Sequence, residues 1–327
     1  MAGTVARPKV YIDYISYFRA IGLPLQIGTT DSIQGDIDDV FLYNPSKTKT
    51  FETTGNTSSK FSLFMGDGTG ETSKLVESIN FAGILNHNLN NINATIVFNG
   101  LNSASGGSAT TYATSIVGGD KNNFSLYNLH TMKPYGFELS LDYGTEEEQV
   151  ESFKLGSIIA GRTFTFPHNA NLSMNINNET NIRKTRTLGG SDIVDINYYR
   201  QPLWNGYPPF VATDEPSLSA TSSIGRRLWA LTFSFLTQDS TFPQNMGEGF
   251  MFNNYTVSDN SLWTNYDTEN ITSHFMTLTL NGQLPFLFQP DDTKDVYAWC
   301  RLKSNTFSVQ QSAPNLYTSK MTFEEVW

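Results

Sequence analysis

The chain has 327 residues, more than one hydrophobic core ordinarily holds, so two domains are expected. A formal net charge of −10 speaks against a phosphate-neutralising surface, and hence against nucleic acid as a partner. With 13% aromatic and only 16% charged residues, the chain is not a disordered one, and its Asn-, Ser-, Thr- and Gly-rich remainder fits an all-β protein.

In chain order, MAGTVARPKVYIDY lacks the apolar core of a secretion signal. Strands are expected at Lys9 to Tyr14, Val40 to Tyr43, Phe61 to Met65, Ala94 to Phe98, Tyr135 to Leu141 and Ser157 to Phe164. Further strands are expected at Leu228 to Leu236, His274 to Leu280, Val296 to Leu302 and Leu316 to Phe323. The acidic run Gly144 to Phe153 is either one helical turn or a charged loop. Within Leu228 to Leu236, the alternation of Trp229, Leu231, Phe233 and Phe235 predicts one buried face, and Phe286 and Phe288 are expected to point inward. No stretch approaches the roughly 18 apolar residues needed to span a membrane. Three long, turn-rich excursions interrupt the pattern, at 101–123, 205–224 and 242–270.

Many short strands with turn-rich connections indicate two antiparallel β-sandwich or jelly-roll-like domains with long inter-strand loops. The boundary is expected near Pro167, where Pro-His-Asn-Ala-Asn cannot continue a central strand, giving domains 1–166 and 167–327.

Candidate chemistry is sparse. Met65 to Lys74, MGDGTGETSK, lacks the GxxxxGK[ST] order of a phosphate loop and reads as a hairpin connection. GDIDDV (Gly35 to Val40) and PDDTKD (Pro290 to Asp295) bunch acids without the DxDxDG spacing of a calcium loop. The four histidines, His87, His130, His168 and His274, show no HExxH spacing, and no GxSxG elbow is present. The one cysteine, Cys300, lies in the strand-like VYAWCRL and reads as a small buried side chain. Seven Asn-x-Ser/Thr sequons read as by-products of composition. The basic clusters Arg183, Lys184, Arg186 and Arg226, Arg227 read as local salt-bridge donors. Neither a catalytic set nor a metal or cofactor site is expected. His87 and Asn88, in NHNLNN, read as a polar corner feeding the next strand, with a sugar-contacting role at a loop tip as the alternative.

Residues 82 to 98, AGILNHNLNNINATIVF, resemble a segment of a discoidin-like jelly-roll module in a tailed-bacteriophage virion protein family. The resemblance rests on Ile84, His87, Asn88, Leu89, Ala94, Thr95 and Val97. Residues 155 to 169, LGSIIAGRTFTFPHN, resemble that module's last strand at Gly156, Ile158, Gly161, Pro167 and Asn169. RTLGG (Arg186 to Gly190), RRLWALTFSFLTQD (Arg226 to Asp239), LPFLFQPDD (Leu284 to Asp292) and the closing YTSKMTFEEVW resemble the second domain of minor tail proteins related to the distal-tail family. Domains of that family pack into rings at the tip of the tail tube.

The resemblance implies a non-catalytic structural component of a phage virion, a homo-oligomeric ring in the tail tip or baseplate that contacts other tail proteins. It also implies synthesis in the host cytoplasm and residence in the virion tail, without membrane insertion. The aromatics Trp204, Tyr207, Phe210, Tyr255, Trp263 and Tyr266, in or immediately before two of the excursions, are the expected interface anchors. The alternative reading is a carbohydrate-binding adhesin that grips host surface glycan through His87 and Asn88. A glycan-degrading enzyme, needing a carboxylate pair in a cleft, stands third.

Overall fold

The computed structural model describes residues 7–22, 25–29, 32–33, 36–52, 58–65, 79–89, 94–101, 109–111, 113–121, 123–132, 136–142, 152–170, 175–180, 182–196, 201–206, 208–210, 225–242, 270–304 and 306–327. The first half carries β1 (Lys9–Asp13), β2 (Leu25–Thr29), β3 (Ser32–Ile33), β4 (Lys49–Glu52), β5 (Ser58–Met65) and β6 (Ile79–His87). It continues with β7 (Thr95–Leu101), β8 (Ala109–Thr111), β9 (Ala113–Lys121), β10 (Phe124–Met132), β11 (Gly136–Asp142) and β12 (Ser152–Thr165). The second half carries β13 (Asn175–Glu179), β14 (Ile182–Arg186), β15 (Asp192–Ile196), β16 (Arg226–Thr237), β17 (Phe286–Gln289), β18 (Ala298–Leu302), β19 (Val309–Ala313) and β20 (Leu316–Glu325). Helical structure among the described residues is short: α1 (Tyr14–Ala20), α2 (Gln238–Thr241), a 3-10 turn at Ile37–Phe41 and a π turn at Ile271–Met276.

The fold is all-β and antiparallel. A 13-stranded sheet runs β13-β16-β20-β18-β17-β1-β12-β6-β10-β9, with β4 also on β12, β3 on β4 and β19 on β20. A five-stranded sheet, β2-β5-β11-β7-β8, closes a sandwich over the first-half strands, and β14 and β15 form a separate two-stranded hairpin. Phe61 and Leu63 of β5, Phe98 of β7 and Phe137, Leu139 and Leu141 of β11 share one core with Ile84 of β6 and Ile158 and Ala160 of β12. Phe51 stacks on Phe153 at 5.2 Å and meets Phe61 edge-on at 4.9 Å.

The sheet does not stop between the halves. β1 pairs with β12 on one side, Asp13 opposite Gly161, and with β17 on the other, Val10 opposite Phe288. Backbone hydrogen bonding therefore crosses from residues 1–166 to 167–327 through one five-residue strand. Period-2 alternation splits the side chains between two faces. Val10, Ile12, Phe286, Phe288, Cys300, Trp229, Leu231, Phe233 and Phe323 join the main core, while Tyr11, Leu287, Tyr297 and Trp299 join a second cluster on the opposite face.

Several elements differ from expectation. The strand expected at His274 to Leu280 is helical, because Asn270 caps it by accepting Ser273 N–H at 2.8 Å. Val40 to Tyr43 lies at the end of the 3-10 turn, which Asp36 caps through Asp38 N–H at 3.0 Å. Asp13 does the same for α1, which begins at Tyr14, the last residue of the strand expected at Lys9 to Tyr14. The 101–123 excursion contains β8 and β9, and β6 and β10 are central strands that were not expected as such. Phe235 is 72% exposed: the β16–β20 register shifts between Phe233 and Leu236, Phe235 takes φ +63°, and Leu236 is buried in its stead. The runs 66–74 and 144–151 lie outside the described residues.

Close approach at Gly161 makes the β1–β12 junction possible, since a Cβ there would overlap the Ile12 carbonyl oxygen. Gly161→Ala is expected to lower unfolding free energy by ~3 kcal/mol in denaturant titration, the scale of overpacking in a rigid interior. Phe235→Ser, on the exposed bulge, is expected to stay within ~0.5 kcal/mol of the parent.

Candidate functional site

The His87 corner is built by a shared break in alternation. Asn86 takes φ +53°, its N–H donates to Asn123 C=O at 2.6 Å, and its Nδ2 donates to Pro45 C=O at 2.7 Å. Opposite, Gly156 lies so close to Pro45 O and Asn86 that no side chain fits. The break places His87 against Ser125 and beside Leu155 and Leu89, both core residues. Its Nδ1 accepts Leu89 N–H at 3.3 Å, so Nε2 carries the proton and donates to Ser125 Oγ at 3.0 Å. Burial lowers the His87 pKa to about 3, partly offset by the Phe124 backbone, and the ring is neutral. Asn88 Oδ1 accepts Lys154 N–H at 2.7 Å, and its own N–H reaches Lys154 C=O at 3.4 Å. His87 is fully buried, so as placed it offers no atom to an external ligand.

The other histidines are dispersed. His274 is buried in the π turn, stacked on Phe164 at 5.8 Å, with no hydrogen-bond partner for either nitrogen among the described residues. Burial, reinforced by Arg162, lowers its pKa to about 3. His168 Nδ1 donates to Asn169 C=O at 2.8 Å, and His130 is exposed. Among the described residues no group of three or more His, Cys, Asp or Glu is placed to hold a metal ion. The Cys300 thiol is buried and its pKa is pushed up by burial and by Glu325. The two acidic runs serve turns and surface pairs. Asp38 meets Arg19 at 3.4 Å, Asp39 meets Lys49 at 2.5 Å, and Asp292 Oδ1 accepts Arg7 N–H at 3.0 Å.

Of the six expected interface aromatics, Tyr207, Tyr255, Trp263 and Tyr266 lie outside the described residues. Trp204 and Phe210 are buried within the chain, packed on each other at 4.7 Å and on the second cluster of the large sheet. Their stretch is a strap across that face. Asn123 Nδ2 holds Pro208 C=O at 3.0 Å, and Gln201 Nε2 holds Glu325 Oε1 at 2.8 Å. Glu325, fully buried, is also gripped by Arg227 through Nε at 3.0 Å and Nη2 at 2.6 Å. As placed, these two rings cover the sheet and not a neighbour. The strap and the Glu325 clasp were missed by sequence reasoning, because the sequence shows no period in the strap and the clasp joins residues far apart in the chain.

The β14–β15 hairpin is the reverse case. Every residue from Ile182 to Asp195 except Thr187 is exposed. Ile182, Leu188, Ile193 and Val194 stand among the exposed large apolar side chains. The register puts Arg183 opposite Asp195 and Arg186 opposite Asp192, while Lys184 faces Val194.

No family model matches the chain, and no curated protein matches it. Among solved structures, the chain is similar to CpGH89CBM32-5 from Clostridium perfringens, solved in complex with GalNAc-β-1,3-galactose, at 10% identity and TM-score 0.28, covering 42% of this chain and 94% of that one. It is also similar to a chain of the Streptococcus pneumoniae β-galactosidase BgaA, at 11% identity and TM-score 0.27, covering 41% and 90% respectively.

Neutral buried histidines make stability pH-dependent. A depressed native pKa means the unfolded chain binds more protons between pH 6.5 and about 3, so stability is full above 6.5 and falls with acidification. Asp13, raised to about 6 by burial, acts in the opposite sense, adding stability as pH falls from 6 towards 4. Two histidines against one carboxyl leave a net loss of ~1.4 kcal/mol per pH unit between pH 6 and 4 from these groups. His274→Phe is expected to flatten that slope by about one proton's worth in chemical denaturation run across pH. An unchanged slope would show that His274 titrates normally in the native state.

Proposed function

We propose that this chain is a non-catalytic structural subunit of a phage virion. It assembles with further copies into a ring in the tail tip or baseplate and contacts other tail proteins there. The observation that carries the reading is the unbroken ladder through β17, β1 and β12. A sandwich that presents a ligand site on a tether needs only a linker to its neighbour. Here the sandwich shares a strand with the second half, and the strap seals the opposite face across both halves. That construction makes one stiff body, which suits a subunit fixing the spacing of its neighbours. The low charge fraction and the Asn-rich composition fit contacts shared between subunits.

A second reading, glycan binding by the tail component, is favoured by one surface feature. Tyr43 is 55% exposed beside exposed Asn44 and Lys47, an aromatic platform with flanking hydrogen-bonding groups.

Light scattering of the purified full-length chain, with negative-stain imaging, tests the main reading: an oligomer of fixed order forming closed rings is expected. A chain that stays monomeric and is absent from particles overturns it. GalNAc-β-1,3-galactose, the ligand of the Clostridium perfringens chain, serves as the first glycan probe. Retention on it that is lost in Tyr43→Ala with folding intact would establish the second reading.

A further inference from the structure

We propose that the β14–β15 hairpin is an assembly arm that docks on the body of a second copy of this chain. The inference rests on the assembly reading above and names the surface that performs it. Paired residues of an antiparallel ladder share a face. One face of the arm therefore gathers Ile182, Ile196, Val194 and Lys184, with Arg186 and Asp192 towards the tip. The opposite face holds Arg183 with Asp195 and Thr185 with Ile193. A two-stranded hairpin alone in water is marginal at best, because it has no third strand or helix to bury an apolar face. This one exposes Ile182 and Val194 on one face, Ile193 on the other and Leu188 at the tip, and still keeps regular pairing over all five residues of each strand. A surface that covers Ile182 and Val194 is the missing layer.

The root of the arm is fixed. Two residues separate β14 from β13, the end strand of the large sheet. Glu179, the last residue of β13, pairs with Arg226 of β16 and is held by Lys303 Nζ at 3.2 Å, and Gly225, at φ +86°, lies so close to the Glu179 carbonyl that no side chain fits there. The tip is closed by Thr187, whose N–H donates to Ser191 C=O at 2.8 Å and whose Oγ1 accepts Ser191 N–H at 3.1 Å. The arm thus extends roughly 17 Å from a rigid edge, at ~3.4 Å per residue.

Charge selects the occupant. Three cations, Arg183, Lys184 and Arg186, face two acids, Asp192 and Asp195, so the arm is net positive on a chain of net charge −10. The register sets Arg183 opposite Asp195 and Arg186 opposite Asp192 but leaves Lys184 opposite Val194, in the middle of the apolar face. That face fits a surface of opposite charge, and another copy of this chain, at net charge −10, carries an excess of acids. An arm on one subunit meeting the body of the next is a heterologous contact, the kind that closes rings.

Light scattering of the full-length chain and two variants tests the inference. In one, Arg183 to Asp195 are replaced by two glycines; the other is Val194→Lys, which places a second cation beside Lys184. The parent is expected to form its fixed-order oligomer. Both variants are expected to associate at least about tenfold more weakly with an unchanged melting temperature, because no arm residue belongs to a core cluster. Lys184→Glu is expected to weaken association most at low salt, where charge pairing is least screened. If the parent oligomer persists in both arm variants, the arm inference falls and the assembly reading stands. A monomeric parent overturns both. Arm variants that keep self-association but lose binding to a different virion protein would show that the partner is not a second copy.

Discussion

The structure depends on β1 being hydrogen-bonded along both edges. Five residues, Lys9–Asp13, supply the inner partner for β12 and for β17, so the backbone of the first half and that of the second become one sheet. Asp13 ends the strand and fixes its phase. Its carboxylate accepts Ile15 N–H and Ser16 N–H at 3.2 and 3.1 Å, the Ser16 hydroxyl at 2.5 Å, and Ala160 N–H at 3.2 Å. One side chain thereby stops β1, starts α1 and binds the neighbouring strand. Burial raises its pKa to about 6 even with four donors, so the junction is tuned by desolvation against hydrogen bonding.

A sheet buried on both faces needs cover on both. The five-stranded sheet and the helical segment from Ile271 supply it for the main core. The other face presents Tyr11, Phe81, Leu85, Phe124, Leu126, Leu287, Tyr297 and Trp299, and Trp204 and Phe210 of the strap close over them. The strap is short, so its ends matter more than its length. Glu325 anchors one end through Gln201 and Arg227, and Asn123 anchors the other. A buried carboxylate is favourable only while its partners are complete, and removing one costs ~3–5 kcal/mol. The polar clasp and the aromatic cover therefore stand or fall together.

The all-β class, the inward Phe286 and Phe288, and the buried Cys300 were legible because composition and period-2 alternation report burial directly. Alternation fails where the backbone inserts an extra residue or a residue leaves the extended region, and both occur here. Phe235 has the spacing of a core residue and is turned out by a bulge at φ +63°. Asn86 and Gly156 break phase together, which turns His87 towards Ser125. Capping chemistry was the other blind spot. Asp36 and Asn270 cap short helical turns that reach into Val40 to Tyr43 and His274 to Leu280, which read as strands, and Asp13 caps a helix for which no element was expected beyond Tyr14. The strap and the clasp had no local signature at all, since their partners are separated by 85 and 124 positions in sequence.

Polar satisfaction then separates what serves the fold from what is left over. His87 and Asn88 looked like a ligand pair because an imidazole and an amide sat together between two strands. Their acceptors instead meet backbone amides of this chain, Leu89 and Lys154, so those atoms serve the corner. The arm has the opposite signature, with apolar side chains in water, a cation facing a valine, and a root held rigid. Natural chains do not keep such a surface without cover, because exposed apolar hairpins invite indiscriminate pairing. Among the described residues the exposed apolar side chains of the arm, and not the conspicuous His87, therefore mark the surface on which recognition is to be sought.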